Sequence, residues 1–384
     1  MTRVAIKPEM LQWARVRAGL AVDALLHRFT KLPEWETGEV QPTFKQLEAF
    51  AKATHVPFGY LFLPEPPDEP LPIPDFRTVR NRQVDAISPE LRDTIHAMQR
   101  RQDWLREDRR DSDVPPLDFI GNAVLADDPE GVGREMRRTL GLDDGWAASV
   151  RSWEEAVGRL RVTIETFGVM AVVNGIVGNN THRPLDVEEF RGFALSDPHA
   201  PLIFINGADA KSAQMFTLAH ELAHLWLGEA GEGLSGFPGI FPDGGHVETF
   251  CDRAAAECLV PAAELKAIWP GVKREATPFE LLARRFKVSP IVIGRRAMDL
   301  RLVARQEFFD FYNAYIQRER GERRATSGGD FYRNQNARVG KLFATEVVRA
   351  AKEGRVGFMQ AYELTGLHGG AFQEYARRLG MELP

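Results

Sequence analysis

The chain has 384 residues, 44% hydrophobic and 27% charged, an ordinary globular composition long enough for two or three domains. No apolar run approaches the ~20 residues that span a bilayer, the N-terminus has no apolar signal region, and two cysteines are too few for a disulfide framework. We therefore expect a cytoplasmic protein with no membrane partner. A net charge of -5 and a pI near 6.1 argue against a protein that coats nucleic acid, while leaving room for one small DNA-reading module.

Residues 1–63 read as five short helices. Pro8 suits a first helical position, and Met10, Leu11, Trp13, Ala14 and Ala18 fall near one face before Gly19 ends the helix. "VDALLHRF" and "KLPEWETGE" follow. Thr43 caps "FKQLEAFAKAT", with Phe44, Leu47, Phe50 and Ala51 at helical spacing. "PFGYLFL" is the last short helix. The turn at Trp35, Glu36 and Gly38, then Pro42, Thr43, Gln46 and Leu47, resembles an XRE-type helix-turn-helix. A recognition helix reads bases with Arg, Lys, Asn or Gln. Here "TKLPEWE" offers only Lys31, beside two glutamates and Pro33. Residues 1–63 hold eight Lys and Arg against six Asp and Glu, a thin surplus for phosphates. We expect this module to dock a protein rather than DNA, with Lys31 and Trp35 as contact residues.

Residues 64–79 carry six prolines and read as a semi-rigid linker. Ser88 and Pro89 start a charged helix over roughly 88–109, with Leu91, Ile95, Met98 and Leu105 as its stripe. Further helices are expected through residue 166, so that 80–160 forms a helical linker region. Segments 169–178, 190–197 and 200–207, rich in Val, Ile and Phe, predict strands.

"TLAHELAHLWLG" follows at once. His220 and His224 are four apart, so on a helix both imidazoles lie on one face and can grip one ion. Glu221 beside them can take a proton from an attacking water. The flanking Leu218, Ala219, Leu222, Ala223 and Leu225 predict burial, which keeps electrostatics strong. The competing reading is a core helix with two hydrogen-bonded histidines. That reading does not predict a third ligand. A catalytic zinc site needs three protein ligands and an open position. On the next predicted helix, "VETFCDRAAAECLVP", Glu248 can complete the set, and Asp252 can orient a ligating histidine through its far nitrogen. Cys251 and Cys258 share a face of that helix, about 10 Å apart by helical rise, too far for a disulfide. They read as small buried residues. His246, at the end of the glycine-rich loop 231–245, is a candidate for steadying the oxyanion. His182 and His199 are weaker candidates. The loop itself reads as a lid or a plain connection.

"FTLAHELAHLWL" with "VETFCDRAAAECLVP" resembles the ImmA/IrrE family of metallopeptidases over roughly residues 160–303. The layout of an XRE-like module, a proline linker and a peptidase resembles that family too. The resemblance implies His220, His224 and Glu248 as metal ligands and Glu221 as general base. It also implies zinc, with manganese as the alternative, and an α+β, mostly helical fold with a zincin-like domain whose small sheet lies against the H-E-x-x-H helix. Asp252 stands where many relatives have Asn, and makes a stronger acceptor.

Segment 277–303 is a helix-turn-helix pattern with Ser289 as cap and Pro290 at the first position. Arg284, Arg285, Arg295 and Arg296 are available for phosphates there. A wall for the catalytic cleft is the preferred use. Residues 327–384, opened by Ser-Gly-Gly at 327–329, read as a small helical domain, a partner-docking piece or a cap. The expected domains are thus 1–63, 64–79, 80–160, 161–276, 277–326 and 327–384. The expected activity is metal-dependent cleavage of a regulatory protein, a repressor-like substrate, in a stress or mobile-element response. The alternative is an XRE-type regulator or antitoxin-like protein of a two-gene toxin system that holds a toxin partner or DNA, with a structural or regulatory metal site.

Overall fold

The computed structural model describes residues 3–69, 87–228, 245–319 and 335–383. Part of the proline-rich linker, the loop 231–244 and the Ser-Gly-Gly break lie outside the described residues. The chain divides into two compact units, one of residues 1–71 with 85–93, the other of the remainder.

The first unit is helical: α1 (Pro8–Arg17), α2 (Val22–Leu26), α3 (Leu32–Glu36), α4 (Phe44–Thr54) and a 3-10 turn over Phe58–Phe62. Pro8 opens α1, where its missing N–H is no loss. A capping box opens α4. The Gln46 N–H donates to Thr43 Oγ1 at 3.4 Å and the Thr43 N–H donates to Gln46 Oε1 at 2.9 Å. Met10, Leu11, Ala14, Leu47 and Phe50 form the core. Trp35 lies within it, 2% exposed, its ring 5.8 Å from Phe29 and 6.4 Å from Phe50. This corrects the expectation that Trp35 is a docking residue: an indole so enclosed has no face for a partner. Its neighbour Glu36 is engaged by Arg15 at 2.7 Å. Lys31 is exposed.

The second unit is built on a three-stranded sheet. After α5 (Pro89–Asp111), whose first residues to Asp93 are counted with the first unit, α6 (Pro129–Thr139) and α7 (Trp153–Thr166) come β1 (Met170–Asn174), β2 (Ile176–Val177), β3 (Asn180–Pro184), β4 (Gly192–Leu195) and β5 (Leu202–Asn206). The sheet order is β1-β5-β4, with β1 parallel and β4 antiparallel to β5. The expected single strand over 169–178 is broken. The Asn174 side-chain amide donates to Gly178 O at 2.8 Å and its oxygen accepts from the Ile176 N–H at 3.3 Å, turning the chain into a β2–β3 hairpin.

Strand alternation sorts the sheet's faces. Ala171, Val173, Ala194, Ile203 and Ile205 share a core with Met215, Leu218, Ala219 and Leu222 of α8 (Lys211–Leu227). Phe193 and Phe204 stack at 5.1 Å on the other face. Gly228 ends α8 in the left-handed region, φ 72°, and a Cβ there would lie 2.7 Å from Gly121 Cα, so only glycine fits. Next come α9 (His246–Leu259), α10 (Ala262–Val272), α11 (Pro278–Phe286), α12 (Pro290–Asp299) and α13 (Arg305–Glu319). Phe279, Leu282, Val292, Ile293 and Ala297 of α11 and α12 belong to the same apolar cluster as α8. The C-terminal helices α14 (Lys341–Lys352), α15 (Phe358–Thr365) and α16 (Gly369–Arg378) follow a π turn at Asn336–Gly340. Arg161 donates to Asn336 O at 3.0 Å and Tyr375 to Asn336 Oδ1 at 2.8 Å, tying this part to α7.

Candidate metal centre

Helix α8 sets two of the side chains. It is buried from Gln214 to Trp226, because it runs between the sheet and α9 with apolar residues on all sides but one. Its start is fixed by Gln214, whose amide donates to Gly207 O at 3.1 Å and Asp209 O at 2.7 Å. Segment 121–123 holds its end: the Gly121 N–H donates to Leu225 O at 3.0 Å and the Ala123 N–H to Trp226 O at 2.9 Å. Phe119 stacks on Trp226 at 4.4 Å. His220 and His224 thus stand one turn apart on a clamped rod, 2% and 0% exposed.

Helix α9 supplies the other half. It packs against α8, so that Glu248 lies against both histidines and Asp252 against His220. His220 Nε2 is 3.1 Å from His224 Nε2 and 3.1 Å from Glu248 Oε2, and His224 Nε2 is 3.5 Å from Glu248 Oε1. An ion with tetrahedral ligands at 2.0–2.1 Å sets its donors about 3.3 Å apart, so these separations fit one metal ion. Among the described residues, these three offer donor atoms all within 4.8 Å of one another and are joined by no fourth His, Cys, Asp or Glu. A structural site closes its fourth position with protein, whereas a catalytic one keeps it open.

On the far side of His220, Nδ1 donates to Asp252 Oδ1 at 2.9 Å. That bond leaves the Nε2 lone pair for a metal. His224 lacks the equivalent: its Nδ1 is buried with no hydrogen-bond partner among the described residues. Titration follows this asymmetry. Burial pushes His220 down, but its hydrogen bonds to Asp252 and Glu248 outweigh burial and hold it well above the usual imidazole range. Burial, then the charge of His220, pushes His224 down to about 4. Burial raises the Asp252 carboxyl against the pull of His220.

Glu221 is fully buried on α8 beside the first ligand. His246 stands exposed at the first position of α9, outside the donor cluster. Cys251 and Cys258 are free and buried. Burial pushes the Cys258 thiol up to about 12, an inert state. Arg295 pairs with Asp299 at 3.0 Å on the surface of α12. Arg296 is corrected: it is 2% exposed and ion-paired to Glu257 of α9, so it has no access to a phosphate. The sequence carried a signal for this. Arg296 falls three and four residues after Ile293 and Val292, in the buried register of α12.

The family model for an IrrE N-terminal-like domain, peptidase M78, matches residues 180–298. A second model, a domain of unknown function (DUF8813), matches residues 339–378. No curated protein matches the chain.

Proposed function

From the premise that residues 180–298 form a metallopeptidase domain of the ImmA/IrrE type, we propose that this chain is an endopeptidase that cuts a regulatory protein. The observation that carries the reading is the set of three donors at 3.1, 3.1 and 3.5 Å, with Asp252 fixing the outer nitrogen of one of them. Zinc suits two imidazoles and a carboxylate best, with manganese as the alternative.

A divalent ion held there supplies a Lewis acid for the scissile carbonyl and lowers the pKa of water. The chain's own residues do the rest. Asp252 holds the Nδ1 proton of His220, so that ring ligates in one tautomer and one orientation. His224, kept neutral by burial, ligates without first losing a proton. Glu221 takes the proton of the attacking water as its oxygen bonds to the carbonyl carbon. It then returns that proton to the amine as the C–N bond breaks. Enclosure of the site strengthens each of these interactions.

The substrate we infer is a repressor-like protein, docked by the first unit and cut in a stress response. Protein docking rather than DNA reading is supported by α3, where Trp35 is core, Glu36 is paired and Lys31 alone offers an exposed cation. The test expresses wild type and Glu221→Gln in the native host, recovers bound proteins and maps new N-termini. Wild type should generate one discrete new end in a partner that the variant holds intact. If both forms hold the same intact partner and no new end appears, the chain is a binding protein and the peptidase reading fails.

A further inference from the structure

Helix α9 meets α8 with one face and a cage of arginines with the other. Glu257 lies nine residues beyond Glu248, which at about 100° per residue is half a turn round the helix. It is 3% exposed. Arg296 of α12 reaches it through Nη2, and through Nε donates to Val260 O at 3.3 Å, just past the end of α9. The second carboxylate of this cluster, Glu130 of α6, lies 3.9 Å from Arg296 Nη1 and 2.7 Å from Arg253. Glu257 also accepts from the Ala262 N–H at 3.2 Å and has Arg134 Nη1 at 3.9 Å. Arg137 donates to Cys258 O at 3.0 Å. Helix α6 comes this close because Gly133 has no side chain: a Cβ there would lie 2.4 Å from Ala254 O.

Such an anchor fixes how α9 is rotated. A carboxylate tip sits roughly 6 Å from the helix axis, so a rotation of about 10° moves it by about 1 Å. Metal–ligand distances tolerate only about 0.2 Å. Phe250, Ala254 and Leu259 pack α9 into the core, and a fork bound at once to a side chain and to a main-chain carbonyl adds a directional restraint on its rotation.

We propose that Arg296 is a positioning residue for the metal centre: through Glu257 and the Val260 carbonyl it sets the rotation of α9 that brings Glu248 and Asp252 to the histidines. The helix-turn-helix-like segment 277–303 is thereby a brace for the ligand helix, and its buried arginine serves the site without touching it. The inference rests on reading His220, His224 and Glu248 as a metal site.

The test measures Zn2+ affinity by competition with a chromophoric chelator, beside thermal unfolding in EDTA. The double variant Arg296→Met with Glu257→Met removes both charges and leaves neither of the pair buried alone. It should bind Zn2+ about tenfold more weakly, or worse. Arg296→Lys keeps the charge, loses the fork, and should fall between the double variant and wild type; it decides the matter if the double variant does not fold. Val347→Ala, a cavity in α14 where Val347 is fully buried, is the stability control and should leave Zn2+ affinity unchanged. Wild-type affinity in the Arg296 variants overturns the proposal. So does an equal loss of affinity in Val347→Ala at an equal loss of Tm. If His220→Ala leaves the Zn2+ affinity of the chain unchanged, the metal-centre reading itself fails, and that result is seen before any Arg296 variant is made.

Discussion

At His220 two carboxylates hold one imidazole, Asp252 at Nδ1 and Glu248 at Nε2. Both carboxylates favour the protonated, metal-free ring, so a metal competes with the proton at Nε2. Zn2+ affinity should fall as pH drops below the raised pKa of His220. Titration calorimetry at neutral pH, repeated in buffers of different ionisation enthalpy, should show a proton released on binding; a buffer-independent heat would contradict this. His224 is already neutral and should contribute no proton. Asp252→Asn keeps an acceptor but loses the charge, and Asp252→Ala loses both. The alanine variant should weaken Zn2+ binding by about 10–100-fold, read by chelator competition, with asparagine closer to wild type. Glu221→Gln should retain the metal and lose about 10²–10⁴-fold in cleavage rate. A variant that lost metal instead would place Glu221 among the ligands.

The elements explain why these side chains arrive together. Helix α8 is held at both ends, and Gly228 is its stop. Gly228→Ala must accept φ 72° and a contact of 2.7 Å with the Gly121 backbone. It should destabilise the protein by about 1–3 kcal/mol, seen as a lower Tm; an unchanged Tm would mean the helix end is free to move. The H-E-x-x-H helix, its apolar flanks and the E-x-x-x-D helix were legible because helical periodicity and ligand spacing both act within a few residues. The β2–β3 hairpin was not. Asn180–Pro184 is polar and mostly exposed, and its turn is set by the Asn174 side chain rather than by any apolar alternation. Trp35 and Arg296 were misplaced for a related reason. Residue type suggested a surface role, while the register of each in its helix placed it inward. The brace between α12 and α9 joins residues 39 apart in sequence, beyond the reach of local pattern.

Over the whole molecule, the metal centre belongs to one of two compact units. Zn2+ at about a thousand times its Kd should stabilise that unit by about 4 kcal/mol. Thermal unfolding should then show zinc raising the transition of the second unit and leaving that of the first unmoved. His220→Ala should abolish the shift. No helix among the described residues is long and apolar enough to cross a membrane. The central claim is that His220, His224 and Glu248 form an open metal centre. X-ray absorption on the purified full-length protein, with metal content measured on the same sample, tests it most directly. The expected result is one divalent ion per chain, bound by two imidazoles and light oxygen donors, with a position that a small thiol or hydroxamate can enter. An ion absent above trace, or one closed by a cysteine sulfur or a fourth protein ligand, would contradict it.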